Sequence, residues 1–140
     1  MSLYLDASIL VALFVIDPSS ARAEAFASAN PEVFAISDFG AAEFASAVAR
    51  RVRTRDLTPN EARLAFSNFD SWADRSADRQ ETTTPDIAAA DRILRRLDVN
   101  LRTPDALHIV IAQRINATLV TFDRQMAAGA RALGMAIATP

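Results

Sequence analysis

Asp6, Glu43, Asp105 and Asp123 are the side chains whose type and placement could do chemistry together. Asp6 follows the apolar Leu3-Tyr4-Leu5, and Asp123 comes just after Leu119-Val120-Thr121. Glu43 falls early in a helical pattern, and Asp105 closes Thr103-Pro104-Asp105 as another helix gets under way. Gathered at one sheet edge, four carboxylates would repel one another unless a cation lay between them. Mg2+ (or Mn2+) suits such a set, because a hard cation prefers oxygen ligands and keeps waters for a substrate phosphate to replace. Two such ions roughly 3.5–4 Å apart can stabilise both the attacking and the leaving oxygen of a phosphodiester displacement. Ser8 and Thr121 each lie two residues from a proposed ligand and are candidates to orient the attacking water. Each acid also has an ordinary reading: Asp123 as a helix cap, Asp105 as a complement to a helix dipole, Glu43 on a solvated face. Asp6 fits such readings least, since a carboxylate between two apolar segments has poor access to water.

The elements that must position these residues alternate. Leu3-Tyr4-Leu5 reads as a buried strand, and the apolar run from Ile9 as a first helix that Asp17-Pro18 breaks. An alanine-rich helix spans 21–29, a strand 33–36, and a helix capped by Ser37 or Asp38 carries Glu43 and continues through Val52. Thr58-Pro59-Asn60-Glu61 has a capping threonine, proline at the first helical position and glutamate three residues after the cap. That helix carries Leu64, Phe66, Phe69 and Trp72, and the three-residue spacing of Phe66, Phe69 and Trp72 signals core or dimer packing before base stacking. A short extended piece is expected near Thr82-Thr83. Thr84-Pro85 and Thr103-Pro104 repeat the cap-then-proline device and open helices reaching about Leu97 and Ile115. Residues 118–121 form another strand, a helix follows towards Leu133, and 135–138 form an edge strand. Apolar strands alternating with helices predict a single domain over 1–140, a three-layer α/β/α sandwich on a mostly parallel sheet. In such sheets the ligand site lies beyond the strands' carboxyl ends, where Asp6 and Asp123 fall.

Composition removes competitors. The 140 residues contain no cysteine, which excludes disulfides and thiolate chemistry and is compatible with a reducing cytoplasm. The longest apolar stretch, 9–16, is far short of the roughly 20 residues that span a bilayer, and no secretory leader precedes it, so a cytoplasmic location without membrane contact is expected. All 15 basic residues are arginine. Without lysine there is no P-loop phosphate binding and no Schiff-base chemistry. A net charge of −2 supplies no global basic field, although setting four metal-bound carboxylates aside leaves the remainder mildly positive. Contact with nucleic acid would be local and salt-sensitive. Arg50, Arg51, Arg53 and Arg55 could meet RNA phosphates or merely complete a solvated helix end, and His108 could touch substrate or be a packed histidine.

The motifs Tyr-Leu-Asp-Ala-Ser at 4–8, Asp38-Phe-Gly-Ala-Ala-Glu43, Thr103-Pro-Asp-Ala-Leu-His108 and Leu119-Val-Thr-Phe-Asp123 occur in the order found in PIN-domain ribonucleases of the VapC toxin type, which the chain resembles over essentially its whole length. The resemblance implies that Asp6, Glu43, Asp105 and Asp123 coordinate Mg2+ or Mn2+, with Thr121 and Ser8 as auxiliary groups, and that RNA is the substrate. It also implies a homodimer and a cognate VapB-type antitoxin whose C-terminal segment binds across the groove. Two other functions stay open. A nuclease for structured DNA would want extra helical elements, and a non-catalytic PIN-like protein- or RNA-binding module would not need all four acids.

Overall fold

The computed structural model describes residues 2–140. Its elements run β1 (Leu3–Leu5), α1 (Ala7–Phe14), α2 (Ser20–Ala29), β2 (Phe34–Ser37), α3 (Asp38–Arg53), α4 (Pro59–Ser76), β3 (Ala77–Gln80), α5 (Thr84–Arg95), α6 (Thr103–Arg114), β4 (Thr118–Val120), α7 (Arg124–Ala132) and β5 (Ile137–Ala138). All four strand pairings are parallel, in the order β3-β2-β1-β4-β5. The chain winds outward from β1 through β2 to β3, then returns to insert β4 on the other side of β1. The crevice between β1 and β4 is therefore the switch point of the sheet, where ligands settle in this architecture.

Alternation along the short strands explains the layers. Leu3, Leu5, Phe34, Ile36 and Val120 enter one core cluster with Ile9, Leu10, Phe44, Val48 and Phe69, contributed by α1, α3 and α4. Tyr4, Ala35 and Leu119 point the other way, onto Ile109, Met126 and Ala130 of α6 and α7. Both faces of the sheet are covered, which is why its central strands carry no alternating polar residues. Helix α6 is buried from Asp105 to Ala112 because α5 packs on its outer side through Ala90, Leu107 and Val110. A helix enclosed in this way is apolar all round. Among the described residues no helix is long and apolar enough to cross a membrane.

Several local expectations shift. The extended piece near Thr82-Thr83 lies earlier, at Ala77–Gln80, a polar edge strand held by backbone pairing to β2. Thr82 instead ties the loop down: its amide and hydroxyl both donate to Asp38 Oδ1, at 2.9 and 2.5 Å. The caps of α5 and α6 fall one residue earlier than the Thr-Pro pairs suggest, on Thr83 and Arg102, with proline in the first turn. Leu64 is exposed, and α4 buries Ala62, Ala65, Phe69 and Ala73 instead. Phe66, Phe69 and Trp72 are indeed packing groups, joined to Phe14 and Phe44 in one aromatic cluster. The capping box at Thr58 and Glu61 is present as expected.

One ion pair braces the second helical layer. Asp86, buried near the start of α5, receives Arg114 Nε at 2.9 Å and Nη2 at 3.1 Å from the end of α6. Burial alone would raise its carboxyl, but Arg114 and the Thr83 amide and hydroxyl prevail and hold it below the ordinary carboxylate value. A depressed folded value means stability that is present above the unfolded pKa of 3.8 and lost as pH falls through the folded one. Arg114→Gln should therefore cost about 1–3 kcal/mol at pH 7. The difference from wild type should shrink as pH falls below the ordinary carboxylate range, as read from urea midpoints at both pH values.

Candidate active site

Asp6, Glu43, Asp105 and Asp123 all line one pocket, together with Ser8, Arg102 and His108. Strand β1 delivers Asp6 into the crevice, and its carboxylate caps α1, accepting the Ile9 amide at 3.2 Å. Asp105 sits in the first turn of α6 and accepts the Arg102 amide at 2.9 Å. Asp123 caps α7 through the amides of Gln125 and Met126, at 2.9 and 3.0 Å. Three of the four acids thus stand at helix N-termini, where the partial positive charge of the dipole favours anions. Capping and membership of the pocket are compatible, so the ordinary readings of Asp105 and Asp123 hold alongside the shared location. Asp6 is a cap as well, which the sequence reading did not foresee.

The pocket has an inner and an outer pair. Asp6 and Asp105 are 2% and 1% exposed, whereas the side chains of Glu43 and Asp123 are each 30% exposed. Burial pushes the Asp6 carboxyl above the ordinary carboxylate range, against the pull of hydrogen bonds from Ser8 and Thr121. Those bonds are short: Ser8 Oγ donates to Oδ1 at 2.6 Å and Thr121 Oγ1 to Oδ2 at 2.5 Å. The same hydroxyls accept the amides of Phe122 at 3.0 Å and Asp123 at 2.9 Å. Both protons are thereby committed to Asp6 rather than to a water. Ser8 and Thr121 lock the loop after β4 onto the end of β1.

Four participants carried weak signals or none. Arg102 approaches Asp105 Oδ2 at 3.6 Å and Asp123 Oδ2 at 3.9 Å, placing a cation between two of the acids. Its role could not be read from sequence, because its second partner lies 21 positions away. Buried His108 contacts Glu43 through Nε2 and the Tyr4 hydroxyl through Nδ1, the latter at 2.8 Å. Tyr4 also meets Ser37 Oγ at 2.7 Å, and Ser37 accepts the Gly40 amide at 2.9 Å. A carboxylate can only accept, so Nε2 is the donor to Glu43. The Tyr4 hydroxyl bridges His108 Nδ1 and Ser37 Oγ. Each polar atom in this series has a partner, and burial holds the Tyr4 phenol un-ionised well above its ordinary range.

Among the described residues no three Asp, Glu or His groups already stand close enough together to grip a metal ion. The contacts give the reason: Glu43 is drawn to His108, while Asp105 and Asp123 are drawn to Arg102. The donor set nevertheless fits a hard divalent cation, because four carboxylates share one pocket and an arginine already supplies positive charge there.

The fold has counterparts among known proteins. The PIN domain family model matches residues 3–132. Among solved structures, the fold is similar to VapC20 of Mycobacterium tuberculosis, a sarcin-ricin loop cleaving toxin, with a TM-score of 0.72 and 17% identity, covering 91% of this chain and 95% of that one. It is also similar to VapBC2 of Rickettsia felis, bound to a DNA fragment from its promoter, with a TM-score of 0.71 and 17% identity over 100% and 99% of the two chains. PAE2754 of Pyrobaculum aerophilum matches with a TM-score of 0.66 and 22% identity, over 98% and 83%. No curated protein matches by sequence.

Proposed function

Because this chain belongs to the PIN domain family, we propose that it is a metal-dependent endoribonuclease and the toxin of a toxin–antitoxin pair. The observation that carries the reading is the meeting of Asp6, Glu43, Asp105 and Asp123 in one pocket at the sheet's switch point. Mg2+ or Mn2+ would be held by those four carboxylates. The chemistry such an ion supplies is Lewis acidity towards a phosphodiester and activation of water. The protein's own contribution is to fix the acids. Ser8 and Thr121 hold Asp6 in one orientation, and the Arg102 amide holds Asp105. His108, held from behind by Tyr4, holds Glu43. Arg102 offsets Asp105 and Asp123 until a stronger cation competes for them. RNA as substrate, a cytoplasmic location, homodimerisation and a VapB-type antitoxin belong to the same reading. It is supported by the likeness of fold to a toxin and to a toxin–antitoxin complex.

The test is cleavage of RNA by the purified protein with Mg2+ or Mn2+, with and without chelator. The expected result is cleavage that chelation stops and that a co-purified antitoxin suppresses. Cleavage indifferent to chelator would overturn the metal-dependent reading, and no cleavage with either ion would leave the non-catalytic binding module standing. The lack of a preformed ion cage among the described residues is the observation that favours that alternative.

A further inference from the structure

Beside the acid pocket lies a larger groove of about 760 Å³, and the two share Glu43 and Arg102. One wall is the exposed side of α3, where Glu43, Ser46, Ala47, Arg50 and Thr54 recur at helical spacing on one face, with Arg51 and Arg53 flanking them. From Glu43 to Thr54 that wall runs about 16 Å, at roughly 1.5 Å per residue. Four arginines line the groove, Arg50, Arg51, Arg53 and Arg102, against two carboxylates, Glu43 and Asp56. Arg51 is tied to Asp17 at 3.3 Å, and Asp56 accepts the Thr54 hydroxyl at 2.8 Å. Arg50 and Arg53 are exposed and have no side-chain partner among the described residues.

We propose that this groove is the track that grips the RNA backbone beside the bond to be cut, with Arg50 and Arg53 as its phosphate-binding residues. The proposal rests on the nuclease reading of the acid pocket. Its physical necessity is plain: a chain carrying net −2, with four carboxylates around the reaction site, repels a polyanion exactly where it must bind. Affinity has to come from local cations, and guanidinium forks match phosphate oxygens in pairs. Arg50 stands two helical turns from Glu43 on the same face, about 10 Å along the axis, so a backbone held there leads into the acid pocket. An acidic peptide would be attracted to the basic end alone. A polynucleotide is gripped by the basic end and runs on past the acids, where a cation is needed for cleavage but not for the grip.

The experiment compares wild type with the double variant Arg50→Gln, Arg53→Gln, and with Arg131→Gln on the distant surface of α7 as control. Binding of a single-stranded RNA oligonucleotide is followed by fluorescence anisotropy in chelator across a salt series. The double variant should bind at least about tenfold more weakly, and the slope of log affinity against log salt should shallow by about 1.4, some 0.7 for each lost phosphate contact. Its thermal midpoint should not move, and the control should match wild type. Equal affinity and slope in wild type and double variant would overturn the track, as would undetectable binding by wild type. Weaker binding of oligoglutamate with unchanged RNA binding would overturn it in favour of an acidic-peptide site. Metal-dependent RNA cleavage with arginine-independent binding removes the track and leaves the nuclease. Arginine-dependent binding without cleavage removes the nuclease and supports the track.

Discussion

Asp6→Asn should lower metal-dependent RNA cleavage by at least about 100-fold, the upper end of what loss of a group supporting a metal site costs. The same substitution should leave the chelated protein as stable as wild type, or more so. Asp6 is 2% exposed, and burial holds its carboxyl above the ordinary range. For a raised acid the sign is unfavourable at neutral pH: stability falls as pH rises from 3.8 through the folded value, because the fold disfavours the charge. Asparagine keeps the shape and removes that penalty. The asparagine oxygen can still accept from Ser8 and the Ile9 amide, while the Thr121 hydroxyl turns to accept from the NH2 group. Mn2+ at a hundredfold excess over its dissociation constant should stabilise wild type by about 2.7 kcal/mol and the variant by clearly less. Thermal midpoints with chelator and with Mn2+, beside initial cleavage rates, check all three statements. A variant that still cuts, or that unfolds in chelator, would remove Asp6 from the metal site and make it a structural cap.

The second large effect lies one residue from the site. Phe44→Ala should destabilise the protein by about 3–5 kcal/mol, a large share of the 5–15 kcal/mol typical of a domain. Phe44 is 1% exposed, and its ring centroid lies 4.7 Å from that of Phe69, 6.0 Å from Phe14 and 6.1 Å from Phe66. It is the point at which α1, α3 and α4 meet above the sheet, so its loss opens a cavity that three helices would have to close. Glu43 rides on the same turn and should lose its fixed orientation as α3 loosens. Urea unfolding should show a lower midpoint. A loss below about 1 kcal/mol would mean that the aromatic cluster repacks, contrary to the cavity argument.

What was legible beforehand divides by the range of the interaction. Leu3-Tyr4-Leu5-Asp6 and Thr58-Pro59-Asn60-Glu61 announce their structures locally, through an apolar run that ends on an acid and a cap answered three residues later. The parallel sheet follows from strands that are apolar on both faces. By contrast, Ala77–Gln80 has no apolar pattern, and only its backbone bonds to β2 make it a strand. Three threonines at 82–84 leave the cap of α5 ambiguous by one position. Helices α3, α5 and α6 end beside left-handed residues, Arg55, Leu97 and Asn116, without the glycine that marks such a stop after α7. In the candidate site, the acids stood out because each interrupts an apolar segment or opens a helix. Arg102 did not, and His108 and Ser37 stood out only singly, since the contacts that join Ser37, Tyr4 and His108 span distant parts of the chain and local pattern carries no trace of them.

The placement of β4 also has a consequence during synthesis. Asp6 leaves the ribosome well before Thr121, which anchors it, and Asp123, both of which follow only after β4 has been made. A nascent or truncated chain ending before that strand carries at most three of the acids and lacks the clasp between the first and fourth strands. Assembly of the pocket is thereby deferred until β4 has emerged.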